Sequence, residues 1–239
     1  MIDFPIEKII PACEKIGVVL DEKAVKKLNI YANLLVEWNE KMNLTAITDP
    51  DEVVWKHFYD CILFFKNVNL PQEAAVIDVG TGAGFPGVVL KIVREDIKLT
   101  LLDGLNKRLV FLSEVLKEIE ADAQIVHLRA EEGGRKPEYR EKYDFAVSRA
   151  VANMNVLSEY CLPFVKKGGH FIALKGPAGN EEVKEAKGAI ALLGGGETKI
   201  YFEQEQMLGD RTIVDVKKLS PTPPKYPRPS GKISKSPLK

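Results

Sequence analysis

Val76-Ile77-Asp78-Val79 is a β-branched, apolar run closed by an acid, and it breaks at once into Gly80-Thr81-Gly82-Ala83-Gly84-Phe85-Pro86-Gly87, ahead of Val88-Val89-Leu90. That is a strand, a tight turn and a helix start. Glycine at alternate positions lets the backbone turn through positive φ and leaves no Cβ in the way, so a nucleotide-like ligand can lie against bare main chain. Asp103 ends the next apolar run, Ile97 to Leu102, about 20 residues on, where an acid can hydrogen-bond a ribose diol. Adenosine is the ligand piece this suggests. A glycine-rich turn with no ligand is the plainer reading, and Asp78 and Asp103 standing in register weigh against it.

Two frames compete for the turn. Gly82, Gly84 and Gly87 spell G-x-G-x-x-G, which taken alone suggests a dinucleotide with its pyrophosphate on the helix N-terminus. Read in frame with the strand, the glycines are Gly80, Gly82 and Gly84, and the dinucleotide frame starts two residues too late. This acid-x-G-x-G-x-G frame resembles motif I of S-adenosylmethionine-dependent methyltransferases. Phe85-Pro86 then occupies the place where a pyrophosphate needs open N–H groups, and Pro86 has none.

The 239 residues suffice for one large α/β domain, or for a domain with a small extension. Formal charge is zero, so a nucleic-acid partner is not announced by the total and must rest on local clusters of Lys and Arg. Cys13, Cys61 and Cys161 are far apart and form no C-x-x-C or Cys/His cluster, which fits a reducing cytosol and argues against a metal site. The N-terminus lacks a basic region followed by an apolar one, and no apolar stretch approaches the ~20 residues of a membrane span. A cytoplasmic protein without membrane contact is expected, as a monomer.

The periodicities divide the chain into a helical extension over 1–70, an α/β core over 71–220 and a tail over 221–239. Val25, Leu28, Tyr31, Leu34, Leu35 and Trp38 recur at three-to-four spacing, which predicts an amphipathic helix between Asp21 and Lys41. A second helix is predicted from Glu52 to Phe65, with Asp49-Pro50 as its start signal, and Pro71 marks the boundary. Strands follow at 74–79, 97–102, 123–128, 143–148 and 169–174, with helices from 87 and over 106–120, 152–166 and 181–193. Such alternation predicts a mostly parallel sheet with helices on both faces. Thr198 to Glu203 and Arg211 to Val216 need no helix between them and read as an antiparallel hairpin at one edge. The tail carries six prolines with Lys225, Arg228, Lys232, Lys235 and Lys239 and no acid, which reads as an extended basic arm. There is no internal repeat.

Several phrases outside the glycine turn are specific. Trp38-Asn39-Glu40-Lys41-Met42-Asn43-Leu44-Thr45-Ala46-Ile47, Lys56-His57-Phe58-Tyr59-Asp60, Asp103-Gly104-Leu105-Asn106-Lys107-Arg108, Ser148-Arg149-Ala150 and Lys225-Tyr226-Pro227-Arg228 resemble the RsmG (GidB) proteins, which methylate guanine N7 in 16S ribosomal RNA. The resemblance runs from about Leu34 to the C-terminus. Cys61 stands where a serine is common and Lys56 where an arginine is common. The resemblance implies a Rossmann-like class I methyltransferase core, S-adenosylmethionine as cofactor, and 16S ribosomal RNA or the small ribosomal subunit as partner. It places Gly80 and Phe85 on the cofactor, Ala130 and Glu131 near its adenine end, and Arg149 at the active site as catalytic residue. Asp78, Gly82, Gly84, Asp103 and Arg149 itself complete the expected cofactor set. Asn43, Lys56 and His57 are expected to face RNA, with Lys225, Arg228, Lys232 and Lys235 of the tail.

Plainer roles stand beside these. Glu131 could cap the helix after it, and Arg149 could pair with Asp144 or another acid. His57 and Asp60, three apart on a helix, make an ordinary packing contact more readily than a proton-transfer pair. His127, His170, Trp38 and Trp55 read as packed. Guanine N7 carries an in-plane lone pair and no proton, so its methylation needs placement rather than a general base. An arginine reading guanine usually bonds O6 and N7 together, yet N7 must stay open here, so Arg149 should reach O6 or the backbone only. No cysteine stands after strand four or five in a Pro-Cys setting for pyrimidine C5 chemistry, and no Asn/Asp-Pro-Pro-aromatic turn for exocyclic amines. A nicotinamide oxidoreductase and a ribosome-associated RNA-binding protein with a vestigial cofactor site are the alternatives.

Overall fold

A computed structural model of the chain describes residues 2–239. The N-terminal part holds α1 (Ile10–Lys15) and α2 (Glu22–Met42). Asp21 caps α2 by accepting from the Ala24 N–H at 2.7 Å, and its stripe of Leu28, Tyr31 and Leu35 is buried. A second helical run starts as α3 (Pro50–Glu52), capped by Asp49. It widens to a π-helix over Val53–Tyr59, returns to α4 (Asp60–Ile62) and tightens into a 3₁₀ turn at Leu63–Lys66. The expected helix over Glu52 to Phe65 is present, and its π-helical middle is not visible in the periodicity.

The core adds β1 (Ala75–Val79), α5 (Gly87–Val93), β2 (Lys98–Asp103), α6 (Asn106–Glu118), β3 (Gln124–His127), α7 (Ala130–Gly133) and β4 (Tyr143–Arg149). Then come α8 (Met154–Cys161), β5 (Val165–Lys175), α9 (Gly179–Leu192), β6 (Gly195–Glu205), β7 (Gly209–Lys218) and α10 (Ser230–Lys235). The seven strands form one sheet in the order β3-β2-β1-β4-β5-β7-β6. The first five are parallel; β7 pairs antiparallel with both β5 and β6. Strand alternation sends Val76, Leu99, Leu101, Phe145 and Val147 into a core shared with α2, the π-helical run, α5 and α6. Ile77, Val79, Leu102 and Ala146 point to the other face, where Met154 and Leu157 of α8 and Val183 and Ile190 of α9 pack. The N-terminal helices thus cover one face of the sheet.

The helix expected over 152–166 ends at Cys161, because Pro163 cannot continue it, and β5 starts at Val165 rather than 169. The tail differs more. It is folded back instead of extended: Tyr226 is buried, Ile233 of α10 is buried, and the Pro227, Lys225, Tyr226 and Thr222 carbonyls accept from Arg135 and Arg140. His127 is exposed rather than packed, and His170 pairs with Asp215 at 2.6 Å. No described helix is long and apolar enough to cross a membrane.

Candidate active site

Strand order reverses between β1 and β4, and in an open α/β sheet the loops leaving the carboxyl ends at such a point part to form a crevice. The loops after Val79 and Arg149 do so here. They wall a cavity of about 790 Å³ with the ends of β2 and β3, lined by Gly80, Gly82, Phe85, Asp103, Glu131 and Arg149 among others.

The glycine loop is held from below. Asp78 is fully buried, and its Oδ2 accepts from the Thr81 hydroxyl at 2.7 Å and from the Gly87 N–H at 2.9 Å. Asp78 therefore builds the loop and does not line the cavity, contrary to its expected place on the cofactor. Gly84 is corrected likewise: a Cβ there would meet the Tyr31 hydroxyl at 2.7 Å and Leu112 at 2.8 Å, so its bareness serves packing. Gly82, at φ +60°, would bring a Cβ only to ordinary contact with the Gly80 carbonyl at 3.9 Å, and it faces the cavity.

Most of the loop's N–H groups are already committed; that of Ala83 alone meets no acceptor among the described residues. Those of Gly80 and Thr81 donate to the Leu102 carbonyl, those of Gly84 and Phe85 to the Thr81 carbonyl, and that of Val88 to Gly84. The Gly82 N–H donates to Asp103 Oδ2 at 2.9 Å. A pyrophosphate needs several such donors free, and this turn offers only that of Ala83, so it does not suit a dinucleotide. It suits adenosine carrying a positive charge. Asp103 lines the cavity and accepts from the Gly82 and Leu105 N–H groups and, at 3.4 Å, from Arg108 Nη1, which leaves acceptor capacity on its Oδ1. The helix after β3 is capped by Glu132, which accepts from the Arg129 N–H at 3.4 Å, so Glu131 is not that cap and lines the cavity with Ala130.

Arg149 ends β4 in a half-buried cluster. Its Nη1 donates to Asp60 Oδ2 at 2.8 Å and to the Lys56 carbonyl at 3.1 Å, its Nη2 contacts His57 Nδ1 at 3.1 Å, and its guanidinium lies 4.7 Å above the Phe85 ring. The acid partner is Asp60; Asp144 pairs with Lys166 instead. A guanidinium only donates, so His57 Nδ1 accepts, and the Nε2 proton goes to Thr45 Oγ1 at 2.8 Å. Burial, helped by the Arg149 charge, depresses the His57 pKa to about 3. The imidazole is neutral, stacked on Phe85 with ring centroids 4.5 Å apart, and it forms buried cavity wall rather than exposed surface. Arg211 of β7 closes the cluster on Asp60 Oδ1 at 2.7 Å. The residues around it gave no motif. Ala150, next in chain, takes φ +56°, a left-handed non-glycine conformation at the cavity wall.

Among the expected RNA contacts, Asn43 is exposed at the left-handed C-cap of α2, and Lys56 is half-exposed with an ion pair to Glu52. Lys225, Lys232 and Lys235 are exposed. Arg228 is not free: Glu159, 0 % exposed, accepts from its Nη2 at 2.7 Å, its Nε at 2.9 Å and its backbone N–H at 2.7 Å. It anchors the tail.

The fold is shared with methyltransferases of low sequence identity. The precorrin-6y C5,15-methyltransferase of Geobacter metallireducens superposes with a TM-score of 0.51 at 12% identity, over 66% of this chain and 87% of that one. The citrinin polyketide synthase CMeT domain does so at 0.54 and 11%, over 90% and 69%. Fold and crevice together are those of the class I methyltransferase fold. The family model described as rRNA small subunit methyltransferase G (GidB) matches residues 24–214. Curated relatives named ribosomal RNA small subunit methyltransferase G, from Clostridium perfringens and Alkaliphilus metalliredigens, are 50% and 49% identical over 232 residues, 95% of this chain and 96% of theirs. The chain belongs to the GidB family of ribosomal RNA methyltransferases. Neither an oxidoreductase nor a vestigial binding protein finds support beside it.

Proposed function

We infer that this chain transfers the methyl group of S-adenosylmethionine to N7 of a guanine in the 16S RNA of the small ribosomal subunit. The observation that carries the reading is the crevice at the β1/β4 switch point, whose glycine loop keeps all but one of its donors to itself while Asp103 and Glu131 offer acceptors, in a chain of this family. Asp103 and Glu131 would hold the adenosine hydroxyls and adenine end. Gly80 and Gly82 would lie flat against it, with Phe85 closing the wall. When bound, S-adenosylmethionine supplies an electrophilic methyl on a sulfonium.

The protein's own work is placement. Guanine N7 has a lone pair in the ring plane, so no residue has to remove a proton, and the neutral His57 is not poised to do so. Arg149 is fixed by Asp60, His57 and the Lys56 carbonyl, and Asp60 balances its charge beside a site that must accept a cation. Its two remaining N–H groups can meet O6 or a phosphate while N7 stays open. Exposed Lys232 and Lys235 would follow the RNA backbone.

Small subunits from a strain lacking the gene, incubated with purified protein and S-adenosylmethionine, should yield 7-methylguanosine in nuclease digests of the 16S RNA. Digests without it would reject the assignment. Calorimetry should show binding of S-adenosylhomocysteine and none of NAD.

A further inference from the structure

A second cavity, of about 490 Å³, opens at the carboxyl ends of β4 and β5 and shares His57, Arg149 and Ala150 with the first. Into this second cavity face Lys175, which ends β5, and Glu182 of α9. Their side chains are 11% and 18% exposed and pair at 2.8 Å. Glu182 Oε2 also accepts from the Met154 N–H at 3.0 Å, and Lys175 Nζ also donates to the Ala152 carbonyl at 2.9 Å. Glu182 Oε1 meets no donor among the described residues.

We propose that this second cavity takes the target guanine by its Watson–Crick edge, with Glu182 accepting from N1–H and N2–H and Lys175 donating to O6. The proposal rests on the methyl-transfer reading above and adds the base site. Guanine offers two adjacent donors beside one acceptor, and a carboxylate next to an ammonium is the complement of that edge. Adenine turns an N1 acceptor toward the carboxylate and is repelled. Guanine held by this edge has N7 on its other side, directed away from Glu182, which is what methylation requires. The pair is largely withdrawn from water, so each bond to the base is stronger than at an open surface. Such a base must leave its stack to enter.

After the methylated guanine has been mapped, small subunits reconstituted with 16S RNA that carries inosine at that position, made by splinted ligation, lack only the N2 amino group. Wild-type kcat/KM should fall about 10- to 100-fold on the inosine RNA, the discrimination expected of a lost base-edge contact. Glu182→Gln should lose a similar factor on the guanine RNA, and should treat guanine and inosine almost alike. Its affinity for S-adenosylhomocysteine should equal that of the wild type. Equal wild-type rates on the two RNAs would overturn the proposal, as would a Glu182→Gln enzyme that keeps the wild-type preference, because Glu182 would then only pin the Ala152–Met154 loop. A wild type inactive both on reconstituted subunits carrying guanine and on small subunits from the strain lacking the gene would instead refute the methyl-transfer reading beneath it.

Discussion

Arg149 and Asp60 meet at 2.8 Å with side chains only 13% and 11% exposed, tying the carboxyl end of β4 to the helical run that covers it. Arg211 takes the other carboxylate oxygen at 2.7 Å, so a single acid neutralises part of two guanidinium charges. Asp60→Asn should therefore cost about 3 kcal/mol of stability, the scale of breaking a largely buried pair, because both arginines lose their counter-charge at once. It should also lower turnover at saturating cofactor, since Arg149 is released from its position. Urea denaturation and steady-state rates check the two parts; an unchanged urea midpoint would mean that water already screens the cluster.

Gly82 and Gly84 separate ligand binding from folding. Asn tolerates positive φ, so Gly82→Asn adds a side chain to the open cavity with little backbone strain. S-adenosylhomocysteine affinity should fall at least about 10-fold, roughly 1.4 kcal/mol, with the thermal midpoint nearly unchanged. Gly84→Ala should do the reverse and lower stability by about 1–3 kcal/mol, because its Cβ would press on Tyr31 and Leu112. Calorimetry and thermal melts on the two variants give a direct comparison. Equal cofactor affinity in Gly82→Asn and wild type would place the site elsewhere.

What could be read from the residues was what local spacing encodes. The break from β-branched run to glycine turn located β1 and the crevice, and the missing helix between β6 and β7 gave the antiparallel edge. What could not be read depends on partners distant in sequence. Arg149 and Asp60 lie 89 positions apart, and no pattern around either announces the other. The π-helical stretch Val53–Tyr59, which carries His57 and the Lys56 carbonyl to Arg149, has the same apolar spacing as an ordinary helix. The tail misled for the same reason. It has no acid of its own, but Glu159, 69 residues earlier, lies buried beneath Arg228, and Arg135 and Arg140 grip its carbonyls. A net charge counted along the chain registers none of these contacts.

The neutral His57 gives a stability signature in acid. Its folded pKa is lowered from 6.5 to about 3, by burial first and then by the Arg149 charge. Below pH 6.5 the unfolded chain takes up a proton there that the folded site refuses, so this group's contribution is full above that pH and is lost as pH falls toward 3. Asp78 acts in the opposite sense, because burial lifts its folded pKa from 3.8 to about 6 and acidification then favours the folded state. Comparison with His57→Gln cancels the Asp78 contribution. The stability of wild type relative to His57→Gln should decline from pH 6 to pH 4 with a slope of at most about 1.4 kcal/mol per pH unit. Urea denaturation across that range measures it, and parallel curves would show that His57 titrates normally in the folded protein.

The basic tail divides into residues that hold the fold and residues free to meet RNA. Arg228→Ala leaves the Glu159 carboxylate, 0 % exposed, without its cation and should destabilise the protein by about 3 kcal/mol. Ser230, at the start of α10, lines the crevice proposed for the cofactor, so loosening the tail should weaken S-adenosylhomocysteine binding as well. Lys232 and Lys235 are exposed on the same short helix, and replacing both by Ala should leave stability and cofactor affinity unchanged. Each phosphate they neutralise releases counterions, so the double variant should flatten the dependence of log K on log salt by about 0.7 to 0.9 per lost contact. Filter binding of 16S RNA over a salt series distinguishes the groups. If the lysine variant keeps the wild-type slope, these side chains touch no phosphate, and the RNA is gripped elsewhere.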